Sequence, residues 1–238
     1  MGGLGEALEE ERLLLEAIGR GEYCCLRHGL PYVRVSMMVG QLLCERRLDY
    51  ELSEGRIEVH VRELMRLLRP LLASARSLAG CSGGRLVVSM PVAALIDRVP
   101  VVGRPDAILF EDCRVAAIVR LKEAERASRL DEARLRLYGL LVDYSPLPHA
   151  EPLRLIEVCS VDRRVLAEAL LALRGGGIEG LKAVEGCRVY SWIYDRGSAL
   201  QLFSRLAGYW LGLRAPMPRP GRLCMECRWR GVCSAGGL

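Results

Sequence analysis

Asp106 and Lys122 stand near the two ends of a short β-rich segment and are the residue types most suited to chemistry in this chain. The segment runs Gly103-Arg104-Pro105-Asp106-Ala107-Ile108-Leu109-Phe110, then the polar connector Glu111-Asp112-Cys113-Arg114, then Val115 to Lys122. Two apolar runs around a polar turn predict a hairpin. With the turn centred on residues 112 to 113, Asp106 falls opposite residues 119 to 120, and period-two alternation puts Arg120 and Lys122 on one face. An aspartate and a lysine converging from neighbouring strands can hold a hydrated metal ion and activate a water, which is the chemistry of phosphodiester hydrolysis.

The second set is at the end of the chain, where Cys224, Cys227 and Cys233 follow the spacing C-x2-C-x5-C. Three thiolates in a tight loop can wrap one metal centre, and a fourth ligand must come from elsewhere. Four thiolates suit either zinc or an iron–sulfur cluster, and spacing alone does not separate the two. Cys81, Cys113, Cys159 and Cys187 lie in or beside strand-like runs with no ligand spacing and are expected to be small buried hydrophobes.

The elements that must position these residues are read from periodicity. Residues 5 to 19 carry an acidic amphipathic helix pattern stopped by Gly19 and Gly21. Ser36 is the expected N-cap of a helix running through Cys44 to Tyr50, and a further helix spans His60 to Leu72, with Pro70 crowding its end. A long apolar strand, Arg85 to Ile96, leads into the hairpin. Leu130, Ala133, Leu137, Leu140, Leu141 and Tyr144 recur at helical spacing. A strand follows over Pro152 to Ser160, a helix over Val161 to Arg174, and a loop at Gly175-Gly176-Gly177. A strand over 186 to 195 and a helix from Ala199 to Leu213 complete the order, which fits an α/β core with a mixed sheet flanked by helices. We divide the chain into a lead-in over 1–34, a core over 35–213 and a cysteine segment over 214–238.

The 238 residues are 51% hydrophobic, ample for a buried core. No apolar run reaches the roughly 18 residues of a membrane span, and Gly2 to Glu11 is acidic, unlike the basic start of a signal peptide; a cytoplasmic location with no membrane partner is expected. The net charge of +5 is a mild basic excess. Lys122 and Lys182 are the only lysines, so nearly all positive charge is arginine, and Asn and Thr are absent, which suggests a thermophile. In such a chain the ten cysteines are expected to be ligands or buried thiols, with the disulfides of hyperthermophiles the known exception.

Between Val35 and Cys233 the sequence resembles the CRISPR-associated Cas-four family, RecB-like nucleases with a PD-(D/E)XK, restriction-endonuclease-like core. The likeness rests on an ordered set: Cys44 followed by Arg46 and Arg47, His60 after Gly55, Pro105-Asp106, Lys122, Tyr138, then the cysteine trio. It implies a 4Fe-4S cluster held by Cys44, Cys224, Cys227 and Cys233, with zinc the alternative occupant and Cys24 or Cys25 able to replace Cys44. It further implies that His60 and Asp106 bind Mg²⁺ or Mn²⁺, that Lys122 serves the attacking water and that Tyr138 helps orient DNA. The implied role is processing of single-stranded or overhang DNA ends during CRISPR spacer acquisition, in antiviral defence, with Cas-one and Cas-two integrase proteins as partners.

Two positions depart from the family pattern. The acid two residues before Lys122 is Arg120, and the glutamine one turn before Tyr138 is Arg134. Arg120 is expected to pair with Asp106 and to weaken divalent-metal binding, unless Glu111, Glu123 or Asp97 supplies the missing acid. Arg120 and Arg134 would then serve phosphate binding, for which guanidinium forks are well matched, in a non-catalytic DNA-binding or assembly subunit. The plainer alternative is that both make internal salt bridges.

Overall fold

The structure, a computed structural model, describes residues 3–23, 26–57, 59, 61–78, 81 and 83–233. Cys24, Cys25 and His60 lie outside the described residues. Helix α1 (Leu4–Gly19) is followed by the short strand β1 (Val33–Arg34), helices α2 (Val35–Leu43), α3 (Glu45–Ser53) and α4 (Val61–Leu78), and strands β2 (Arg85–Val88), β3 (Val92–Ile96) and β4 (Val99–Gly103). Then come β5 (Ala107–Glu111), β6 (Arg114–Glu123), α5 (Arg129–Tyr144), β7 (His149–Ser160), α6 (Arg163–Lys182), β8 (Arg188–Ile193) and α7 (Arg196–Trp210).

Among the described residues the result is a mixed α/β fold with two sheets. The larger has the order β2-β5-β6-β7-β8, with β6 and β7 parallel and the other pairs antiparallel; the smaller has the order β1-β4-β3. A parallel pair needs a crossover, and α5 provides it between β6 and β7. Leu135, Leu137 and Leu140 of α5 join one hydrophobic core with Met38, Leu64 and Phe203, and with Leu8, Leu15 and Ile18 of α1. Leu166, Ala169 and Leu173 of α6 cover the other face of the larger sheet, against Leu109, Val119 and Ile156. That two-sided cover explains why β6 and β7 read as continuous apolar runs.

Several sequence expectations are corrected. The strand expected over Arg85–Ile96 splits into β2 and β3, which enter different sheets; Pro91 at the break has no N–H for a ladder. The helix expected through Cys44 is broken there, because Cys44 is extended (φ −170°, ψ 113°), closing α2 and opening α3. Arg34, not Ser36, holds the cap position of α2, since β1 runs straight into the helix. Helix α4 continues past Pro70 to Leu78. Buried Leu64, Leu68, Leu71 and Leu78 supply tertiary packing that outweighs the hydrogen bond lost at the proline. The glycine loop at 175–177 contracts to a kink at Gly177 (φ 63°, ψ −148°) within α6.

The central hairpin forms as expected, and its turn is a two-residue one. Asp112 (φ 47°) and Cys113 (φ 64°) both adopt the left-handed region, the backbone whose twist matches the flanking strands. Cys113 is not a buried thiol: it forms a disulfide with Cys81, 32 residues away, tying the hairpin tip to the segment after α4. Cys159 is buried and free, and burial pushes its thiol up to about 11.

Candidate functional site

The strand pairing fixes the geometry around Asp106. Ala107 pairs with Val119, so Asp106, just before β5, stands beside Arg120 and accepts a hydrogen bond from the Leu121 backbone N–H at 2.9 Å. Arg120 and Lys122 do share a face. Both reach Asp131 on the first turn of α5: Arg120 Nη1 lies 2.9 Å from Oδ1 and Lys122 Nζ 2.5 Å from Oδ2. A second acid comes from the neighbouring strand, where Glu157 is the register partner of Arg120 on β7 and its Oε1 lies 3.5 Å from Nη1.

Arg120 is therefore the centre of the site. Its guanidinium contacts Asp131 closely, Glu157 at 3.5 Å and Asp106 at 4.0 Å, and its side chain is only 14% exposed. The expected pairing with Asp106 is thus the weakest of three. Glu157 is fully buried and neither carboxylate oxygen has a hydrogen-bond partner. Burial pushes its carboxyl up to about 7, against the pull of Arg120. Asp131 goes the other way. Burial raises it, but hydrogen bonds from Lys122, from the Ser128 hydroxyl and backbone N–H, and from Arg120 outweigh that and hold it well below the usual carboxylate range.

Arg134 and Tyr138 line the same side of α5, one turn apart. Burial and the charge of Arg120 push Arg134 down, and its buried Nε has no hydrogen-bond partner. Tyr138 is buried and donates its hydroxyl to the Arg104 carbonyl at 3.2 Å. Gly103 makes room for that ring: a Cβ there would lie 2.6 Å from Cε1 of Tyr138.

Two of the acids expected to replace the missing one are paired elsewhere, Glu111 with Arg85 and Glu123 with Arg163, and the third, Asp97, sits in the β3–β4 turn with φ 45°. Asp131 and Glu157 were not foreseen. Each carried a signal: Ser128-x-x-Asp131 is a capping box at the start of a helix, observed as such. Glu157 is a lone acid inside the otherwise apolar run Leu155 to Cys159, costly to bury without a purpose.

The four cysteines expected to share a centre line one cavity. Cys44, from the break between α2 and α3, faces Cys224, Cys227 and Cys233 together with Arg47, Tyr50 and Trp229. Around the cavity the tail is clasped to α2 and α3. The Glu45 carboxylate accepts from Gln41, Arg214 and the Met217 N–H. Trp229 stacks on Tyr50 with ring centroids 5.8 Å apart and donates Nε1–H to Glu54 at 2.7 Å. Among the described residues, no group of three or more His, Cys, Asp or Glu side chains is arranged to hold a metal ion.

No protein-family model matches the chain. No curated protein matches it either. A solved structure, described as the crystal structure of SSO0001, is similar over 95% of this chain and 96% of its own length, with 14% identity and a TM-score of 0.40. Likeness at that level carries no argument about function. No helix among the described residues is long and apolar enough to cross a membrane.

Proposed function

We propose that the chain is a DNA-binding or assembly subunit of Cas-four type, built on a PD-(D/E)XK core whose hydrolytic centre is held silent by its own arginine. The observation that carries this reading is the position of Arg120, whose guanidinium stands among Asp106, Asp131 and Glu157. With Lys122 it meets the negative charge that a divalent cation would need, so the oxygen donors, as they stand, do not fit Mg²⁺ or Mn²⁺. The cysteines do fit a cofactor. In a 4Fe-4S cluster each iron takes one thiolate, so the sulfurs stand farther apart than the about 3.8 Å that tetrahedral zinc with short Zn–S bonds imposes. Four thiols line one cavity, with Cys44 beside the C-terminal trio, and the family resemblance favours the cluster over zinc as their occupant.

The test is degradation of end-labelled single-stranded DNA by anaerobically purified protein in Mn²⁺, with Lys122→Ala beside it. The expected result is salt-dependent binding of DNA ends without cleavage, and retention by immobilised Cas-one and Cas-two proteins. Cleavage abolished by Lys122→Ala overturns the silent reading. It would favour the second one, a working end-processing nuclease in which Glu157 is the displaced acid; the Glu157 oxygens, which accept no hydrogen bond and touch only Arg120 at 3.5 Å, are what recommend it. In that case Glu157→Gln also abolishes cleavage.

A further inference from the structure

A cavity of about 630 Å³ lies on the other side of α5 from the acid pocket. Its walls are α5, α7, the end of α2 and the tail segment 219–223 that leads into the cysteines. On α5 the lining positions are 129, 130, 132, 133 and 136, whereas the acid pocket uses 131, 134 and 138; at 100° per residue the two sets centre on opposite sides of one helix, with Leu130 at the edge between them.

The charge in this cavity is one-sided. Arg129, Arg136, Arg205, Arg219 and Arg222 surround it, and Glu132 is the one acid in its lining. Arg136 is paired with Glu132 and Arg219 donates to the Leu42 carbonyl. Among the described residues, no ion pair or hydrogen bond holds the guanidiniums of Arg129, Arg205 and Arg222. Guanidiniums left unpaired around a concavity repel one another until an anion joins them, and their planar forks match phosphate oxygens. Between the arginines the floor is apolar, with Leu42, Leu130 and Leu202 and the half-exposed Leu223. A floor of that kind suits the flat faces of bases, while the rim suits a repeating phosphate.

We propose that this cavity binds the sugar–phosphate backbone of a single DNA strand, and that Arg129, Arg205 and Arg222 are its phosphate contacts. The inference rests on the DNA-binding reading above and gives it a location distinct from the Arg120 pocket. Two of the arginines, Arg219 and Arg222, belong to the tail, and Arg219 and Pro220 line both this cavity and the cysteine cavity. The strand-binding wall is therefore held in place by whatever keeps the tail closed on Cys44.

The experiment is fluorescence anisotropy of a labelled 20-nucleotide single strand with the full chain, across a salt series. The variants are the triple Arg129→Ala/Arg205→Ala/Arg222→Ala and, as a control, Arg164→Ala/Arg174→Ala/Arg188→Ala on α6 and β8. The cavity triple is expected to bind at least tenfold more weakly, with a log–log salt slope shallower by about 2, from ~0.7 per lost phosphate contact on a single strand. The control triple should match the unmodified protein, and both triples should melt with it. The single charge reversal Arg205→Glu, on an exposed face of α7, gives an independent loss if the triple folds poorly. A polyglutamate peptide of equal charge is expected to bind more weakly than DNA; preference for the peptide overturns the proposal. Unchanged DNA binding by the cavity variants, with loss in Arg134→Ala, overturns it while leaving the DNA-binding reading intact. No binding by the unmodified protein overturns both.

Discussion

Arg120 on β6 lies directly across the parallel ladder from Glu157 on β7, with Nη1 3.5 Å from Oε1 of a carboxylate that is fully buried and has no hydrogen-bond partner. The two residues are charged partners in a place where neither would be stable alone. Arg120→Ala strands Glu157 and leaves Asp131 to Lys122 and Ser128. Removing one partner of a buried pair costs about 3 kcal/mol. Guanidinium denaturation at pH 8 should show that loss, and the same measurement at pH 5, where Glu157 is protonated, a smaller one. An equal loss at both would mean that Glu157 is not the group Arg120 neutralises.

Glu157 itself should print a slope on the pH–stability curve. Its folded value is raised from 4.5 to about 7, so below pH 4.5 it is protonated in both states and costs nothing. As pH climbs from 4.5 to about 7 the unfolded chain ionises first, and stability falls. Glu157→Gln removes this contribution. Relative to the unmodified protein, the variant should gain melting temperature at pH 8 compared with pH 5. Glu11 of α1, raised to about 8 by burial, adds a slope of its own in both proteins, which is why the comparison is with the variant.

How much of this was legible in the sequence depends on whether the signal was local. The hairpin was, because turn chemistry and two-residue alternation fix which side chains share a face; that was enough to put Arg120 beside Lys122. Asp131 and Glu157 were not, because their approach depends on how α5 crosses from β6 to β7, which periodicity does not encode. The strand break at Pro91 and the helix running through Pro70 were misjudged in opposite directions. At the first, the missing donor ended the ladder and the chain passed to the other sheet; at the second, buried leucines on both sides outweighed the lost hydrogen bond.

The cysteine cavity gives a discriminating prediction. Cys44→Ser should lower the iron and acid-labile sulfide content of anaerobically purified protein and bleach its brown colour, whereas Cys24→Ser and Cys25→Ser should leave both unchanged. Loss of iron in Cys24→Ser with retention in Cys44→Ser would assign the fourth ligand elsewhere.

The Cys81–Cys113 link closes a loop of 32 residues by sequence separation. Constraining a loop of that length in the unfolded chain contributes ~3 to 4 kcal/mol. Cys81→Ser/Cys113→Ser should therefore lower the unfolding free energy by about that much. A reductant should lower the melting temperature of the unmodified protein toward that of the double variant. Insensitivity to reductant would show that the bond does not form in solution.

The two centres differ in where their parts lie along the chain. Every side chain of the acid pocket comes from residues 106–157, whereas the cysteine cavity joins Cys44 to residues near the far end. On the ribosome the acid pocket can be assembled while the tail is still being made. Cys44 must wait for Cys224 to Cys233, which at about 5 to 20 residues per second takes roughly ten to forty seconds. For that interval its thiol is open to oxidants and stray metals, and the timing of synthesis, more than the finished fold, decides what it meets first.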